Sequence, residues 1–100
     1  MAKQKPTKAE QSHMAKIASM PCILCEALGE RQTSKTDVHH LRDGEGMSQR
    51  ASHWLTIPLC HDTCHQGKAG RHGDQTLYRI AKVSDMDLLA LTIEKLSRAT

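Results

Sequence analysis

Residues 55–74 read Leu-Thr-Ile-Pro-Leu-Cys-His-Asp-Thr-Cys-His-Gln-Gly-Lys-Ala-Gly-Arg-His-Gly-Asp. A short β-type run opens this stretch, and residues 60–67 follow as a predicted short helix, because a proline precedes them and glycines end them. Cys60 and Cys64 are four residues apart, so on a helix they share one face. His65 follows directly and projects roughly 100° away from the thiols. The stretch therefore presents sulfur ligands and an imidazole on different sides of one element.

A second cysteine pair, Cys22-Ile-Leu-Cys25, has the C-x2-C spacing. Such a turn lets both thiolates point into one tetrahedral site. With Cys60 and Cys64 the pair completes a four-thiolate shell, which suits Zn2+ in a closed structural site. We therefore predict a structural zinc ion held by all four cysteines. Because the spacing of the second pair is looser, His61 and His65 remain alternatives to Cys64 as the fourth ligand.

Composition indicates why this chain would need a metal. It has 100 residues and only two aromatic side chains, Trp54 and Tyr78. A chain of this length buries only ~60–70% of its unfolded surface, and metals commonly staple such small domains. A thioredoxin-like redox role for the C-x2-C pair is disfavoured, because a predicted helix and Pro21 precede it rather than a strand.

Long apolar segments are absent from the sequence. Its longest apolar runs are three or four residues, whereas a membrane-spanning helix needs ~20 and a signal peptide ~7–15. We therefore expect no membrane association and a cytoplasmic location. In that reducing compartment a cysteine framework binds metal rather than forming disulfides.

Helices are predicted on both sides of the metal-type centre. One capping box, Thr7-Lys-Ala-Glu10, begins an N-terminal helix that ends before Pro21, and another, Ser84-Asp-Met-Asp87, begins a C-terminal helix. A further short helix is predicted over residues 74–83. Apolar spacing predicts core-facing side chains at Met14, Ile17 and Ala18, at Leu77, Ile80 and Ala81, and at Leu88, Leu89, Thr92, Ile93 and Leu96. The fold class is thus α+β, with a basic arm at 1–6 and a single domain at 7–100.

A β-type run at residues 37–41, Asp-Val-His-His-Leu, carries two adjacent histidines, His39 and His40. A polar, glycine-rich loop at 42–52 separates it from the run at 55–59. Successive side chains of a strand point to opposite faces, so one histidine can bind a metal while its neighbour approaches a substrate. We expect His65 to point towards this strand. The layout suits a catalytic metal with open positions for water and phosphate.

Positive charge is concentrated at the N-terminus. The first 20 residues contain four lysines and one glutamate, within a formal net charge of +3 for the chain. We predict that Lys3, Lys5 and Lys8 contact DNA phosphates, with a solubilising tail as the alternative. The scarcity of aromatic residues disfavours recognition by base stacking. Residues 60–67 contain no Arg or Lys, which disfavours direct base readout. Targeting is therefore expected to come from a partner.

Two segments carry a resemblance to known nucleases. Asp-Val-His39-His40-Leu, followed by Ile-Pro-Leu-Cys60-x3-Cys64-His65, resembles the HNH pattern, also called ββα-metal or His-Me finger. More closely, residues 55–74 and the tail Met-Asp-Leu-Leu-Ala-Leu-Thr-Ile-Glu at 86–94 resemble the phage recombination-enhancement (Ref) nucleases. The resemblance covers about residues 14–96. It implies a small zinc-stapled ββα-metal core, in which a β-hairpin and a helix hold one divalent metal over the scissile phosphate.

The resemblance also implies roles for individual histidines. His39 and His65 would be metal ligands, His40 would be the general base that deprotonates water, and His72, in a His-Gly-Asp motif, is a further candidate ligand. A neutral imidazole with a pKa near ~6.5 is a competent base. The implied catalytic ion is Mg2+ or Mn2+, with Zn2+ as an alternative. The chain contains no Asn, so the middle residue of HNH is missing. His53, and after it Gln49, are the candidates for bracing the loop.

The sequence therefore predicts a phage-encoded, metal-dependent DNA endonuclease that acts in recombination inside a bacterial host. The resemblance implies a RecA-type recombinase filament on DNA as its partner. The alternative is a non-catalytic, zinc-stapled DNA-binding or interaction module on a decayed nuclease fold, and a third class is a toxin or antitoxin-like interaction protein. His39, His40 and His65 distinguish them, because a pure binding module has no use for three imidazoles around an open metal.

Overall fold

Two helices precede a β-hairpin and two follow it in the computed structural model, which describes residues 5–42 and 51–98. The elements in chain order are α1 (Lys8–Ala18), α2 (Ile23–Leu28), β1 (Thr36–His40), β2 (Thr56–Cys60), a π-helical turn (His61–His65), α3 (Thr76–Ala81) and α4 (Asp85–Arg98). The predicted α+β fold class is confirmed. Lys3, Gln49 and most of the predicted 42–52 loop lie outside the described residues. No helix of the described ranges is both long enough and apolar enough to cross a membrane.

The N-terminal capping box forms as predicted. Thr7 N–H donates to Glu10 Oε1 over 2.7 Å, and Glu10 N–H donates to Thr7 Oγ over 3.1 Å. Ile17 is fully buried, whereas Ala18 is exposed and Met14 is only partly buried. The prediction for Ala18 is wrong, because α1 packs against the hairpin along a narrower stripe than its sequence pattern indicates.

Strand β2 lies at the centre of the molecule. It pairs antiparallel with β1, with Ile57 opposite His39 and Thr56 opposite His40. All five residues of β2 are buried, because α1, α2 and α4 all pack against it. Because β1 pairs with this buried strand along its whole length, β1 and its two histidines are held in a fixed position.

The C-terminal helices depart from the predicted core pattern at two positions. Ser84 and Asp87 cap α4 reciprocally, and Leu88, Leu89 and Thr92 are buried as predicted. The prediction is wrong for Ile93, which is 54% exposed, and for Ile80, which is 63% exposed. In α3, Leu77 and Ala81 pack partly buried against the core as predicted. Tyr78 is buried beside them, and its hydroxyl donates to Asp85 Oδ1 over 2.6 Å.

The predicted helix at 60–67 is a single π-helical turn. Gln66 N–H donates to the carbonyl oxygen of His61 over 2.9 Å, a bond between residues five apart. Such wide turns are rare and occur frequently at functional sites. Here the turn carries Cys64 towards the interior and places His65 against β1.

Candidate functional site

Four cysteines converge between α2 and the end of β2. Cys22 caps α2 and Cys25 lies in its first turn, whereas Cys60 ends β2 and Cys64 belongs to the π-helical turn. Their Sγ atoms all lie within 4.8 Å of one another, and the four side chains are buried free thiols. This sulfur cluster could hold a structural zinc ion with tetrahedral geometry.

The ionisation of the buried thiols bears on whether the sulfur cluster could hold a cation. A hydrogen bond from Cys64 lowers the pKa of Cys22 to about 5. Burial raises the pKa of Cys25 to about 12, and the hydrogen bond to Cys22 raises that of Cys64. The Cys22 thiol therefore ionises readily, while Cys25 and Cys64 hold their protons. Four thiolates can share this space only around a positive ion, and the donor set fits zinc.

Three histidines form a second group beside the first. His39 Nδ1 lies 3.2 Å from His65 Nε2. The ring of His72 lies 5.4 Å from that of His39 and 4.8 Å from that of His65, measured between ring centroids. One nitrogen of each ring falls within 4.8 Å of the others. His39 is buried, His65 is partly buried and His72 is exposed, so this histidine cluster opens to solvent on one side.

Backbone contacts place His72 in the cluster. His72 N–H donates to the carbonyl oxygen of His65 over 3.0 Å, and Arg71 N–H donates to that of Cys64 over 2.8 Å. The chain turns back closely enough that a Cβ atom on Gly70 would lie 2.5 Å from the carbonyl oxygen of Thr63. A glycine is therefore required at this position for residues 71 and 72 to lie against the π-helical turn.

Two carboxylates orient the inner histidines. Asp85 Oδ2 lies 3.2 Å from His39 Nε2, and Asp37 Oδ2 lies 2.8 Å from His65 Nδ1. A neutral imidazole has one N–H group, which a carboxylate accepts, so its other nitrogen keeps a lone pair. On this reading His39 Nδ1 and His65 Nε2 face each other as two acceptors. Two nitrogens that each lie ~2.0–2.1 Å from one ion are ~3 Å apart, and the 3.2 Å separation fits a shared metal.

The two carboxyl groups are held ionised. Burial by itself would raise the pKa of Asp85, but hydrogen bonds from His39, Tyr78 and Arg71 lower it. Burial also opposes ionisation of Asp37, and hydrogen bonds from His65 and His61 lower its pKa. His61 Nδ1 lies 2.6 Å from Asp37 Oδ2, so the structure pairs His61 with a carboxylate rather than with the sulfur cluster.

His40 lies apart from this cluster, at the end of β1. Its Nε2 lies 3.0 Å from Nδ1 of His53, so the residue predicted to brace the loop is in contact with the predicted base. Burial, followed by the charges of His53 and His39, lowers the pKa of His40. Its imidazole is therefore neutral at neutral pH. Lys5 and Lys8 are exposed at the start of the chain.

A family model described as "Recombination enhancement, RecA-dependent nuclease" matches residues 6–97. The chain belongs to this family. The match includes every residue of the sulfur and histidine clusters, so both lie within the region that defines this RecA-dependent nuclease family. No curated protein and no solved structure matches the chain.

Sequence reasoning missed several polar groups around the histidines of this family member. Asp37 had a detectable signal, because it lies two residues before His39 and therefore on the same face of β1. Asp85 had none: it reads as part of a capping box, yet it is 6% exposed and accepts hydrogen bonds from Arg71 Nε and the Tyr78 hydroxyl. Only the packing of α4 against the hairpin brings this carboxylate to His39.

Proposed function

We propose that this RecA-dependent nuclease family member is a metal-dependent DNA endonuclease of the HNH, or ββα-metal, type. The supporting observation is the pair of facing nitrogens, His39 Nδ1 and His65 Nε2, 3.2 Å apart. In each ring the other nitrogen is hydrogen-bonded to a carboxylate, Asp85 for His39 and Asp37 for His65. When each ring donates its single N–H to its carboxylate, both facing nitrogens are acceptors, which do not hydrogen-bond to each other, whereas a shared cation binds both.

The residues that would hold the catalytic ion are His39, His65 and His72. Imidazole ligands suit transition metals such as Zn2+, whereas Mg2+ and Mn2+ prefer oxygen, so the assay compares all three. A divalent ion in this cluster would offset the charge that develops on the scissile phosphate and the leaving oxygen. The exposed side of the cluster, at His72, leaves room for water and a phosphodiester.

His40 is the proposed general base. With Nε2 bonded to His53, Nδ1 is the nitrogen left to accept a proton from water. The water oxygen then forms a bond to phosphorus as the bond to the leaving 3′-oxygen breaks. His53 acts by fixing the orientation of the His40 ring, in place of the asparagine that the HNH pattern has at its middle position. A positioned base of this kind contributes ~10²–10⁴ in rate.

The sulfur cluster has a structural role in this proposal. Zinc bound by Cys22, Cys25, Cys60 and Cys64 would join α2 to the π-helical turn. Because His65 directly follows Cys64, the same ion would fix the position of one catalytic histidine.

DNA is the proposed substrate, and a RecA-type recombinase filament is the proposed partner. The family description supports both, since it names a RecA-dependent nuclease of recombination. The chain has few side chains suited to reading base identity. We therefore expect the partner to supply the targeting. The proposed setting is a phage-infected bacterial cytoplasm.

The test incubates purified protein with circular single-stranded and double-stranded DNA. Reactions contain Mg2+, Mn2+, Zn2+ or EDTA, each with and without a recombinase and ATP, and circular dichroism checks that the chain stays folded. We expect cutting that requires the ion, and a higher ion requirement in His39→Ala and His65→Ala. Cutting that persists in EDTA would contradict the proposal. DNA binding without cutting under any condition would favour the non-catalytic module.

A further inference from the structure

A cavity of about 550 Å3 lies beside the histidine cluster, lined by α3 and by the start of α4. Asp85 and Arg71 line this cavity and also join it to the cluster. Asp85 Oδ2 is bonded both to His39 Nε2, at 3.2 Å, and to Arg71 Nε, at 2.8 Å. The Asp85 side chain would therefore lie between a molecule bound in the cavity and His39, a proposed metal ligand.

The cavity has a net positive formal charge, with three cations against two carboxylates. Its cations are Arg71, Arg79 and Lys82. Of its two carboxylates, Asp85 is buried and engaged by Arg71, His39 and Tyr78. Asp87 accepts hydrogen bonds from the backbone N–H and the hydroxyl of Ser84 in the cap of α4. Both acidic groups are satisfied within the protein, and Lys82 forms no ion pair within residues 5–42 and 51–98.

Side-chain hydrogen bonds and defined backbone conformations fix the residues that line the cavity. Arg79 donates to the carbonyl oxygen of Asp74 over 2.8 Å and to Thr76 Oγ over 3.2 Å, which holds its guanidinium in place. Gln75 and Lys82, at the two ends of α3, have φ angles of 62° and 58°. Non-glycine residues rarely adopt this left-handed conformation, and such residues cluster at functional sites. Both side chains line the same cavity.

We propose that this basic cavity binds a backbone phosphate of the DNA strand, next to the phosphate that is cleaved. The proposal rests on the proposed nuclease function and adds a substrate-positioning site to it. An arginine fork and a lysine ammonium suit phosphate oxygens, and neither reads base identity when it contacts the backbone. The cavity volume lies in the range of small-ligand sites, ~300–1,000 Å3, and accommodates a phosphate with its sugar.

The test compares two double variants that remove the same charge. R79Q/K82Q removes two cations from the cavity, whereas K95Q/R98Q removes two from the far end of α4. Lys95 lies ten residues beyond Asp85, about 15 Å along the helix, and pairs with Glu26. Affinity for a fluorescent oligonucleotide is measured against salt concentration, on zinc-loaded full-length protein without added Mg2+ or Mn2+.

We expect the log–log salt slope to become shallower by ~1 for the cavity variant, since one phosphate contact is lost, and to stay at the wild-type value for the control. Lys82→Arg, which keeps the charge, should retain the wild-type slope. In a 15N NMR titration with the same oligonucleotide, the amides of residues 82–87 should shift in wild type and not in R79Q/K82Q. Equal slopes for both double variants, or unshifted amides, would overturn the cavity proposal.

Failure of this proposal and failure of the nuclease proposal give different results. If wild type cuts DNA but the slope of R79Q/K82Q is unchanged, the cavity proposal fails and the nuclease stands. If the slope falls but no condition gives cutting, the phosphate site stands and the nuclease proposal fails. Where wild type cuts, the cavity variant should show a raised KM with kcat little changed, because these side chains position the strand and leave the reacting atoms untouched.

Discussion

The sulfur cluster and the histidine cluster meet at two adjacent residues, Cys64 and His65, yet they differ in exposure. All four cysteines are buried, whereas the histidines range from buried His39 to exposed His72. A closed shell of four protein ligands leaves no position for substrate, and an open one does. The π-helical turn carries Cys64 to the buried cluster and His65 to the open one, so one short turn joins two sites of different exposure.

The largest effect is expected when a cysteine of the sulfur cluster is removed. The binding free energy of a structural zinc ion is ~10–16 kcal/mol. The free energy of unfolding of a whole domain is of similar size, ~5–15 kcal/mol. We therefore expect Cys60→Ser or Cys25→Ser to unfold the chain or release its zinc. Circular dichroism and elemental analysis provide the measurements. His72→Ala is the matched comparison, and its melting temperature without added metal should change little, because His72 is the exposed member of the histidine cluster. Folded wild type that contains no zinc would refute the structural role.

The next largest effect should come from His40→Ala. Loss of the base should slow cleavage by ~10²–10⁴, about 3–5 kcal/mol in activation free energy. Binding of DNA and of the divalent ion should remain, because the ligand histidines are untouched. His13→Ala is the control, because His13 belongs to neither cluster. Its ring packs against that of Trp54, with 5.0 Å between the two ring centroids. If pure wild type cuts DNA and His40→Ala cuts equally fast, the assignment of the base is wrong.

Smaller effects are expected at Asp37 and Asp85, the carboxylates that contact His65 and His39. Asp37→Asn and Asp85→Asn should each weaken ion binding by ~10–100-fold, since a carboxylate orients its imidazole and raises its basicity. The measurement is the ion concentration that gives half-maximal cleavage. Asp62→Asn, an exposed residue of the same π-helical turn, should not change it. An unchanged ion requirement in Asp37→Asn would mean that this carboxylate serves packing alone.

The smallest effect is expected at the basic arm. Deletion of residues 1–5 removes Lys3 and Lys5 and keeps Pro6, whose carbonyl oxygen accepts a hydrogen bond from Gln11. The fold should be intact, and the salt slope of DNA binding should become shallower by ~1–2. A full-length Lys3→Gln, Lys5→Gln variant separates charge from length. If neither change alters the slope, the arm is a solubilising tail.

Local patterns were reliable wherever the interacting groups are close in sequence. The capping boxes at Thr7 and Ser84 form as predicted, because their partners lie three residues away. The alternation of a strand correctly separated His39 from His40. Core predictions were wrong at Ile80 and Ile93, since helical spacing defines a face but not how much of that face the neighbouring elements cover.

The positions of the thiols and imidazoles, and their spacing along the chain, can be read directly from the sequence. How those groups meet depends on the fold. His39 and Asp85 are 46 positions apart in the sequence, and no local signal indicates their contact, because it depends on α4 packing against β2. The facing nitrogens of His39 and His65 and the basic cavity beside them arise in the same way. Their positions depend on burial and on long-range hydrogen bonds, which no short segment encodes alone.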